Sequence, residues 1–403
     1  MDRKTLADVD VRGKTVLLRA DFNVPIAEGG PEAIASYDQR LRVTIPTIRY
    51  LIDRDCKVVL CSHLGRPKGE VVEELRMAPI AGRLSELLSR PVEALCDCIG
   101  PEVEESVSQM QAGELVLLEN LRFYPGEENN DPEFARALAS LAEVFVLDAF
   151  GSAHRAHASI VGPPRYLPSA AGLLLQREVE IIGKALESPT RPLATVLGGA
   201  KASDKIKLLE NLLNRTDALF IGGGMAATFL KAQGKPVGAS LIEGDLIEYA
   251  GDLIARARDR SVALYLPRDV MIASEFSDNP SQISSVDVDH IPDRYHIMDI
   301  GPLTLEGFSA RLSPCKTVIW NGPMGVFEYD KFAKGTTGLA KVLASLDATT
   351  IIGGGSTAEA VESLGLSDQM THVSSGGGAM LEFLEGKELP GIAALPLKTP
   401  SAH

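Results

Sequence analysis

The feature that most constrains this chain is a series of short, nearly continuous apolar runs that alternate with longer amphipathic segments. Such runs predict parallel strands buried on both faces, because half-exposed strands would alternate with polar residues. The amphipathic segments predict covering helices, so the chain reads as βαβ units. The predicted strands are Thr15–Ala20, Lys57–Cys61, Leu115–Leu118, Val144–Leu147, Ala194–Leu197, Ala218–Ile221, Ala263–Leu266, Thr317–Trp320 and Thr349–Ile352.

One stretch interrupts this alternation and divides the sequence. Residues 162–168 are rich in proline and glycine, and a helical pattern follows. This predicts a first domain over 1–168, a linker helix over 169–188 and a second domain over 189–389. The tail, about 390–403, is expected to fold back onto the first domain. The predicted fold class is α/β, with two Rossmann-like lobes, each a parallel sheet flanked by helices, and a cleft between them.

Composition and charge narrow the class of ligand. The 403 residues are 45% hydrophobic and carry a formal net charge of −14, so neither nucleic acid nor an anionic membrane is an expected partner. No apolar run approaches the roughly 18 residues of a membrane helix, and the first residues lack a signal-peptide core. The five cysteines lack zinc spacing and are expected to be reduced thiols. We therefore expect a cytoplasmic protein.

Polar segments follow four of the predicted strands in the first half. The carboxyl ends of parallel strands meet at one edge of a sheet, where ligands bind. A lone arginine there more often pairs with a surface carboxylate, but four such segments favour a site for a small polyanion. The candidate residues are Asp21, Asn23, Arg40, His63, Arg66, Arg122 and Arg155.

A glycine-rich turn in the second half predicts a phosphate site. Residues 198–205 follow a predicted strand and open a helix, whose N-terminus favours anions. Lys201 and Lys205 are four residues apart, on one face of the first turn. Triple-glycine turns support a nucleotide crevice, although each alone fits a tight strand–helix junction equally well. These turns are Gly222–Gly224, Gly353–Gly355 and Gly376–Gly378.

Two further observations concern the nucleotide. Glu328 follows a Gly/Pro turn after a predicted strand and is a candidate for binding a ribose hydroxyl. Gly222, Gly224 and Ala227 fit the dinucleotide fingerprint by spacing, which leaves an NAD-dependent dehydrogenase as an alternative. Against it, 233–238 is loop-like where that motif needs a second strand. The chain contains no P-loop and no protein-kinase signature set.

Taken together, these segments resemble the phosphoglycerate kinase family. The matching stretches run in the family's order from residue 19 to residue 392. They are RADFNVP, SHLGRPKG, ENLRFYPGEE, DAFGSAHRAHAS, LGGAKASDKI, GGGMAATFL, DIGP, WNGPMGVFE and SSGGGAMLEFLEGKELPGI. The resemblance implies a monomeric glycolytic enzyme that reversibly transfers a phosphoryl group from 1,3-bisphosphoglycerate to ADP, giving 3-phosphoglycerate and ATP. Mg²⁺ would bind with the nucleotide.

The resemblance also implies roles for individual residues. Arg40, Lys201 and Lys205 would be catalytic, with no general base required. The phosphoglycerate-binding residues would be Asp21, Phe22, Asn23, Arg40, His63, Leu64, Gly65, Arg66, Arg122 and Arg155. The nucleotide-binding residues would be Lys205, Gly223, Asn321, Pro323, Glu328, Gly354, Gly355, Ser356 and Thr357.

One departure from the family pattern concerns the metal. The family's glycine turn usually continues with Asp, and here Ser356 stands in that place, so no metal ligand is assigned. Ser356 is also the one feature that favours a third reading, a non-catalytic binding protein on the same fold. A coupled ATP assay separates that reading from an active enzyme.

Overall fold

The computed structural model describes residues 1–24, 34–36 and 38–398. Pro25, the last residue of the first motif, and the tail beyond Lys398 lie outside the described residues. The chain forms two compact units, Met1–Glu180 together with the chain from Glu388 onward, and Ile181–Lys387. In the part of the chain that the structure describes, no helix is long and apolar enough to cross a membrane.

The first unit is built on a six-stranded parallel sheet with the order β3-β4-β2-β1-β5-β6. Its strands are β1 Thr15–Ala20, β2 Lys57–Cys61, β3 Glu93–Ala94, β4 Leu115–Leu117, β5 Val144–Asp148 and β6 Ser169–Ala171. Its helices are Gln39–Ile52, Ala78–Leu88, Pro101–Gln109, Pro125–Glu128, Pro132–Ser140, Ala158–Val161 and Pro390–Ala393.

The core of this unit explains the uniform apolar runs. Five of the six residues of β1 are buried, because helices cover the sheet. Val16 and Leu18 pack in one cluster with Ile48 and Leu51 of the helix Gln39–Ile52. A strand covered in this way has no solvent face and therefore shows no polar alternation.

The second unit also contains a six-stranded parallel sheet, with the order β15-β14-β13-β7-β8-β9. Its strands are β7 Leu193–Leu197, β8 Ala218–Ile221, β9 Ala263–Tyr265, β13 Thr317–Asn321, β14 Thr349–Gly353 and β15 His372–Val373. The helices of this unit are Ile206–Leu213, Met225–Ala232, Ile247–Asp259, Pro302–Leu312, Lys334–Ala344, Gly355–Ser363 and Gly377–Leu384.

An additional antiparallel sheet in the second unit was not predicted. It has the order β11-β10-β12 and is formed by β10 Asp269–Ala273, β11 Ile283–Asp287 and β12 His296–Ile300. The reason lies in β11, whose residues are mostly exposed and polar, so that no apolar run marks it. The prediction of a single parallel sheet in this lobe was therefore incomplete.

Single-turn 3₁₀ helices occupy many of the connections. They are Leu6–Asp8, Ile34–Ser36, Glu73–Leu75, Leu121–Phe123, Phe150–Ser152, Pro163–Arg165, Ser203–Lys205, Gly244–Leu246, Val288–His290, Asp330–Phe332 and Ser367–Gln369.

The predicted linker helix over 169–188 begins later than expected. Residues 169–171 form β6, which pairs with β5, and the helix runs over Leu173–Glu187. Between them, a Cβ on Gly172 would lie 2.2 Å from Oδ1 of Asp148. That oxygen accepts hydrogen bonds from the N–H groups of Leu174 and Leu175, at 2.9 and 3.1 Å, and so starts the helix. The prediction was wrong over 169–171 because three small residues gave no strand signal.

The segment 388–398 packs on the beginning of the first unit. The N–H of Lys4 donates to the carbonyl of Pro396, and the N–H of Lys398 donates to the carbonyl of Asp2, each at 2.8 Å. The N–H of Gly391 donates to the carbonyl of Ala153, also at 2.8 Å. This segment therefore supports the loop that follows β5.

Candidate active site

Four loops of the first unit meet at the carboxyl ends of β4, β2, β1 and β5, which are neighbours in the sheet. Hydrogen bonds connect them. The N–H of Gly65 donates to Oδ1 of Asn23 at 2.8 Å, and Nη1 of Arg122 donates to the carbonyl of Gly65 at 2.7 Å. Oγ of Ser152 donates to Oδ2 of Asp21 at 3.1 Å. The structure thus brings the predicted polar segments together.

Asp21 positions the arginine that was predicted to act on the transferred group. Nη1 of Arg40 lies 2.9 Å from Oδ1 of Asp21. Burial alone would raise the pKa of Asp21, but the charge of Arg40, together with that of Arg19, holds it well below its ordinary value. Asp21 is therefore a carboxylate that orients Arg40, which remains partly exposed.

Asn120, which was not among the predicted site residues, shapes two of these loops. Its Oδ1 accepts hydrogen bonds from the N–H groups of Leu64 and Arg122, both at 3.1 Å. Its Nδ2 donates to the carbonyl of Leu64 at 2.7 Å. The Arg122 side chain is buried beside Glu128, with 3.1 Å between Nε and Oε1, and burial lowers its pKa. The signal that could have found Asn120 is its position in ENLRF, three residues after the end of β4.

The remaining predicted residues of this cluster differ in exposure. Arg66 is exposed and Arg155 is half-buried, and neither has an ion-pair partner among the described residues. Both guanidinium groups are therefore available to an anion. Phe22 and Leu64 are fully buried, so their side chains belong to the core and only their backbone can face a ligand.

In the second unit, glycine turns after β7, β8 and β13 pack backbone against backbone. The N–H of Gly199 donates to the carbonyl of Pro323 at 2.9 Å, and the N–H of Gly223 donates to that of Met324 at 3.0 Å. A Cβ on Gly198 would lie 2.1 Å from the carbonyl oxygen of Pro323. These contacts require glycine, because any side chain would separate the turns.

Lys205 lies inside this cluster of turns. Its Nζ donates to Oδ1 of Asn321 and, at 3.3 Å, to the backbone carbonyl of the same residue. Burial lowers the pKa of Lys205 to about 8, although Asp204 opposes the shift. Nδ2 of Asn321 is buried and has no hydrogen-bond partner among the described residues. Lys205 and Asn321 therefore form one polar unit beneath the turns.

The helix N-terminus near these lysines differs from the prediction in two ways. Lys201 is exposed whereas Lys205 is buried, so the pair does not share one open face. Oε2 of Glu243 accepts hydrogen bonds from the N–H groups of Ala202 and Ser203, at 2.6 and 3.1 Å. The N–H groups expected to be free for a phosphate are thus already occupied by a carboxylate, which the sequence spacing could not reveal.

The turn that carries Ser356 opens the helix Gly355–Ser363. Gly354 has a φ of +91°, which favours glycine, and Ser356 is exposed. The hydroxyl of Thr357 is buried and accepts a hydrogen bond from the N–H of Gly322 at 2.8 Å. Thr357 therefore links two turns, while Ser356 and the exposed Gly355 are open to a ligand.

A cavity of about 700 Å³ lies beside the glycine turns that follow β7, β8 and β13, within the second unit. Its walls are mostly apolar, as suits a flat heterocycle. Glu328 lies exposed at its rim and Pro323 contributes to its wall. Sequence reasoning missed the rest of the lining, which includes Leu241, Phe276 and Tyr329.

The side chains near these turns do not form a metal site by themselves. Over the described residues, no group of three or more His, Cys, Asp or Glu side chains could hold an ion. Ser356 offers a neutral hydroxyl. A hard cation would therefore have to arrive largely coordinated by other oxygens, as Mg²⁺ bound to nucleotide phosphates is.

Phosphoryl transfer asks a protein for positioning and charge neutralisation rather than for covalent chemistry. An arginine cluster on one α/β unit, and glycine turns around a buried lysine on the other, meet that requirement. The fold and these two clusters define a kinase.

Comparison with known proteins gives the family. The family model for phosphoglycerate kinase matches residues 6–387. The phosphoglycerate kinase of Moorella thermoacetica is 52% identical over 399 residues, covering 99% of this chain and 100% of its own length. That of Pelotomaculum thermopropionicum is 54% identical over 395 residues, covering 98% and 99%. The chain belongs to the phosphoglycerate kinase family.

Solved structures agree with the assignment of the chain to this family. Phosphoglycerate kinase from Coxiella burnetii matches with a TM-score of 0.85 at 39% identity, covering 97% of this chain and 98% of that one. The enzyme from Pyrococcus horikoshii matches with a TM-score of 0.81 at 33% identity, covering 97% and 98%. The predicted α/β fold, family and kinase activity are thereby confirmed, and the dehydrogenase alternative is not favoured.

Proposed function

We propose that this chain transfers a phosphoryl group between 1,3-bisphosphoglycerate and ADP, with phosphoglycerate on the first unit and the nucleotide on the second. The observation that carries the assignment of the first unit is the convergence of Arg40, Arg66, Arg122 and Arg155 on one sheet edge in an otherwise acidic chain. Bidentate guanidinium groups suit the carboxylate and phosphate of this ligand. Asn23 and Asp21 lie in the same loops and can orient its hydroxyl.

The nucleotide is assigned to the glycine turns and the adjoining cavity. The apolar walls suit the base, Glu328 the ribose, and the turns at Gly223 and Gly354 the close approach of phosphates. Lys205, held by Asn321, supplies a fixed positive charge. Exposed Lys201 has the freedom to follow the phosphoryl group as it moves.

The chemistry follows from these charges. The transferring group spreads negative charge over three oxygens, and Arg40, Lys201 and Lys205 are the cations proposed to neutralise it. The carboxylate leaves without needing a proton, and the accepting phosphate oxygen of ADP is already anionic, so neither a general acid nor a general base is required. Water must be kept out, since it would compete as acceptor.

Magnesium enters this proposal with the nucleotide. It would neutralise phosphate oxygens, and Ser356 would hold it through the hydroxyl or through an ordered water. We further propose that the enzyme acts as a monomer in the cytoplasm, in keeping with its free cysteines and the glycolytic role of its family.

A coupled assay tests the proposal. With 3-phosphoglycerate, MgATP, NADH and a dehydrogenase that reduces 1,3-bisphosphoglycerate, NADH should be oxidised by the dehydrogenase at a rate proportional to the concentration of this protein. Arg66→Glu should raise KM for phosphoglycerate and leave KM for ATP unchanged. Absence of turnover would support the binding-protein reading, and an equal rise in both KM values would contradict the division of ligands between the units.

A further inference from the structure

We propose that the buried Arg19 fixes His63 as the neutral Nε2–H tautomer, so that His63 offers the phosphoglycerate site a hydrogen-bond donor and never an acceptor. This inference rests on the proposed function of the cluster. It assigns Arg19 as a positioning residue and requires that the ligand atom opposite His63 be an acceptor oxygen.

The first step is the contact between the two side chains. Nη2 of Arg19 lies 3.3 Å from Nδ1 of His63, and both residues are buried. A guanidinium can only donate, so Nδ1 must accept with its lone pair. The single ring proton is then on Nε2. Among the described residues, Arg19 is the only hydrogen-bond partner of the His63 ring.

The second step is that Arg19 cannot turn away. Its Nε donates to Oγ of Ser159 at 2.8 Å, and its Nη1 donates to the carbonyl of Ala20. Its Nη2 lies 3.8 Å from Oε1 of Glu127, which is fully buried. Glu127 is itself held by the N–H and the hydroxyl of Ser159, at 2.9 and 2.6 Å. The guanidinium is therefore oriented by groups other than its histidine partner.

The third step is the charge around the ring. Burial lowers the pKa of His63 well below 6.5, and Arg19, Arg122 and Arg40 lower it further. The carboxylate of Asp21 acts in the opposite direction and does not outweigh them. His63 therefore stays neutral, and the fixed tautomer is the species present at physiological pH.

The consequence is a rule for the ligand. A neutral Nε2–H donates to a carboxylate or phosphate oxygen. A ligand with an amine at this place would set its own N–H donor against the Nε2–H donor of His63, and neither would have an acceptor. His63 then neither adds positive charge nor exchanges a proton during transfer. A histidine in an arginine cluster would otherwise be taken for one more cation.

Nitrogen-15 NMR of histidine-labelled enzyme tests this directly, with His63→Gln to assign the signal. We expect an unprotonated Nδ1 and a protonated Nε2, unchanged from about pH 5 to about pH 8, the interval in which free histidine titrates. An Nδ1–H tautomer, or a titration within this range, would overturn the inference. Because the chain has seven histidines, His63→Asn provides the same assignment if His63→Gln fails to fold.

Two variants of Arg19 test whether this residue orients His63 or only stabilises the fold. Arg19→Lys keeps the charge and can still donate, whereas Arg19→Gln loses the charge and can present a carbonyl to Nδ1. We expect the Gln variant to mix tautomers and to raise KM for phosphoglycerate roughly tenfold, the scale of one misdirected hydrogen bond to a charged group. KM for ATP should stay unchanged, and the Lys variant should keep the tautomer. A Gln variant with the wild-type tautomer would contradict the role of Arg19.

Adding 3-phosphoglycerate separates this inference from the site assignment. The signal of Nε2–H should move on binding. The expected tautomer with no movement would refute the placement of the ligand beside His63. Movement with the other tautomer would refute the role of Arg19 and leave the proposed function intact.

Discussion

Arg40 is the residue on which the proposed chemistry depends most. Asp21 holds its guanidinium at 2.9 Å, yet the side chain stays 37% exposed, so its loss should not disturb the core. We expect Arg40→Ala to lower kcat by roughly 10³-fold or more, because an arginine that neutralises a transferred phosphoryl group contributes on that scale. Steady-state kinetics with a circular-dichroism check of folding would measure it.

Arg42→Ala is the matched control for that variant. Arg42 lies on the same helix and pairs with Asp38. Arg83 also binds Asp38, so this carboxylate keeps one arginine partner after the substitution. We expect Arg42→Ala to keep most of its kcat. An Arg40 variant that retains a third of the wild-type kcat would rule out the proposed role.

Ser356 gives a second prediction at this scale. Its hydroxyl supplies no negative charge to attract the metal. The missing charge should therefore weaken metal binding more than it slows the phosphoryl transfer that follows. We expect Ser356→Asp to lower the magnesium concentration for half-maximal rate, with a smaller effect on kcat. Ser313→Asp, at an exposed position in the same unit, is the control for added charge. An unchanged magnesium dependence would show that Ser356 does not face the ion.

Single residues differ in how far the sequence reveals them. Arg66 and Arg155 could be predicted because each follows a strand in a polar loop. Arg19 could not, because it lies within the apolar strand β1 and its partner Glu127 is more than a hundred positions away. The occupation of helix N–H groups by Glu243 likewise depends on a tertiary contact that spacing does not encode.

At the scale of elements, buried carboxylates fix where helices begin. Asp148 starts the helix Leu173–Glu187, and Oδ2 of Asp299 accepts a hydrogen bond from the N–H of Gly335 at 2.7 Å, in the first turn of Lys334–Ala344. Apolar runs predicted nine of the twelve parallel strands in the described residues to within a residue or two, and missed the short strands β3, β6 and β15. They could not predict these helix starts or the exposed β11, because neither leaves a pattern in the local sequence.

Asp299 makes a pH-dependent prediction. Burial raises its pKa from 3.8 to about 7, so the folded protein retains this proton to higher pH than the unfolded chain does. The contribution of protonated Asp299 to the free energy of unfolding is fully present below pH 3.8 and is lost as the pH rises through about 7. We expect the free energy of unfolding of Asp299→Asn to fall less than that of wild type between about pH 5 and about pH 8.

Urea unfolding at a series of pH values would measure that slope. Asp347→Asn is the control, because Lys316 lowers the pKa of this exposed residue and it does not titrate in the interval. The slope matters rather than the absolute value, since Asn also loses a hydrogen bond. Parallel curves for wild type and Asp299→Asn would contradict the prediction.

The chain end gives another prediction about an element. A Cβ on Gly391 would lie 2.8 Å from Cγ2 of Ile160 and 3.1 Å from the backbone of Ala153, two residues before Arg155. We expect Gly391→Ala to shift this loop and to raise KM for phosphoglycerate several-fold, with KM for ATP unchanged. Gly307→Ala, on a helix with nothing near its Cβ, is the control. Equal effects of the two variants would show that the chain end does not support the site.

At the scale of the whole molecule, the chain passes between two units that each hold half of the proposed chemistry. It crosses within the helix Leu173–Glu187 and again after Lys387. Transfer requires that the donor and acceptor phosphates meet with water excluded, and neither ligand alone satisfies that condition. The predicted function therefore implies motion about the region 162–189.

Small-angle scattering can detect this motion. We expect 3-phosphoglycerate and MgATP together to lower the radius of gyration, and either ligand alone to change it much less, because only the pair can bind to both units at once. Arg66→Glu should abolish the response to the pair by repelling phosphoglycerate, while leaving the response to MgATP alone as in wild type. If saturation with both ligands leaves the radius of gyration unchanged, transfer must proceed without such closure, and the exclusion of water would then have to be achieved within one unit.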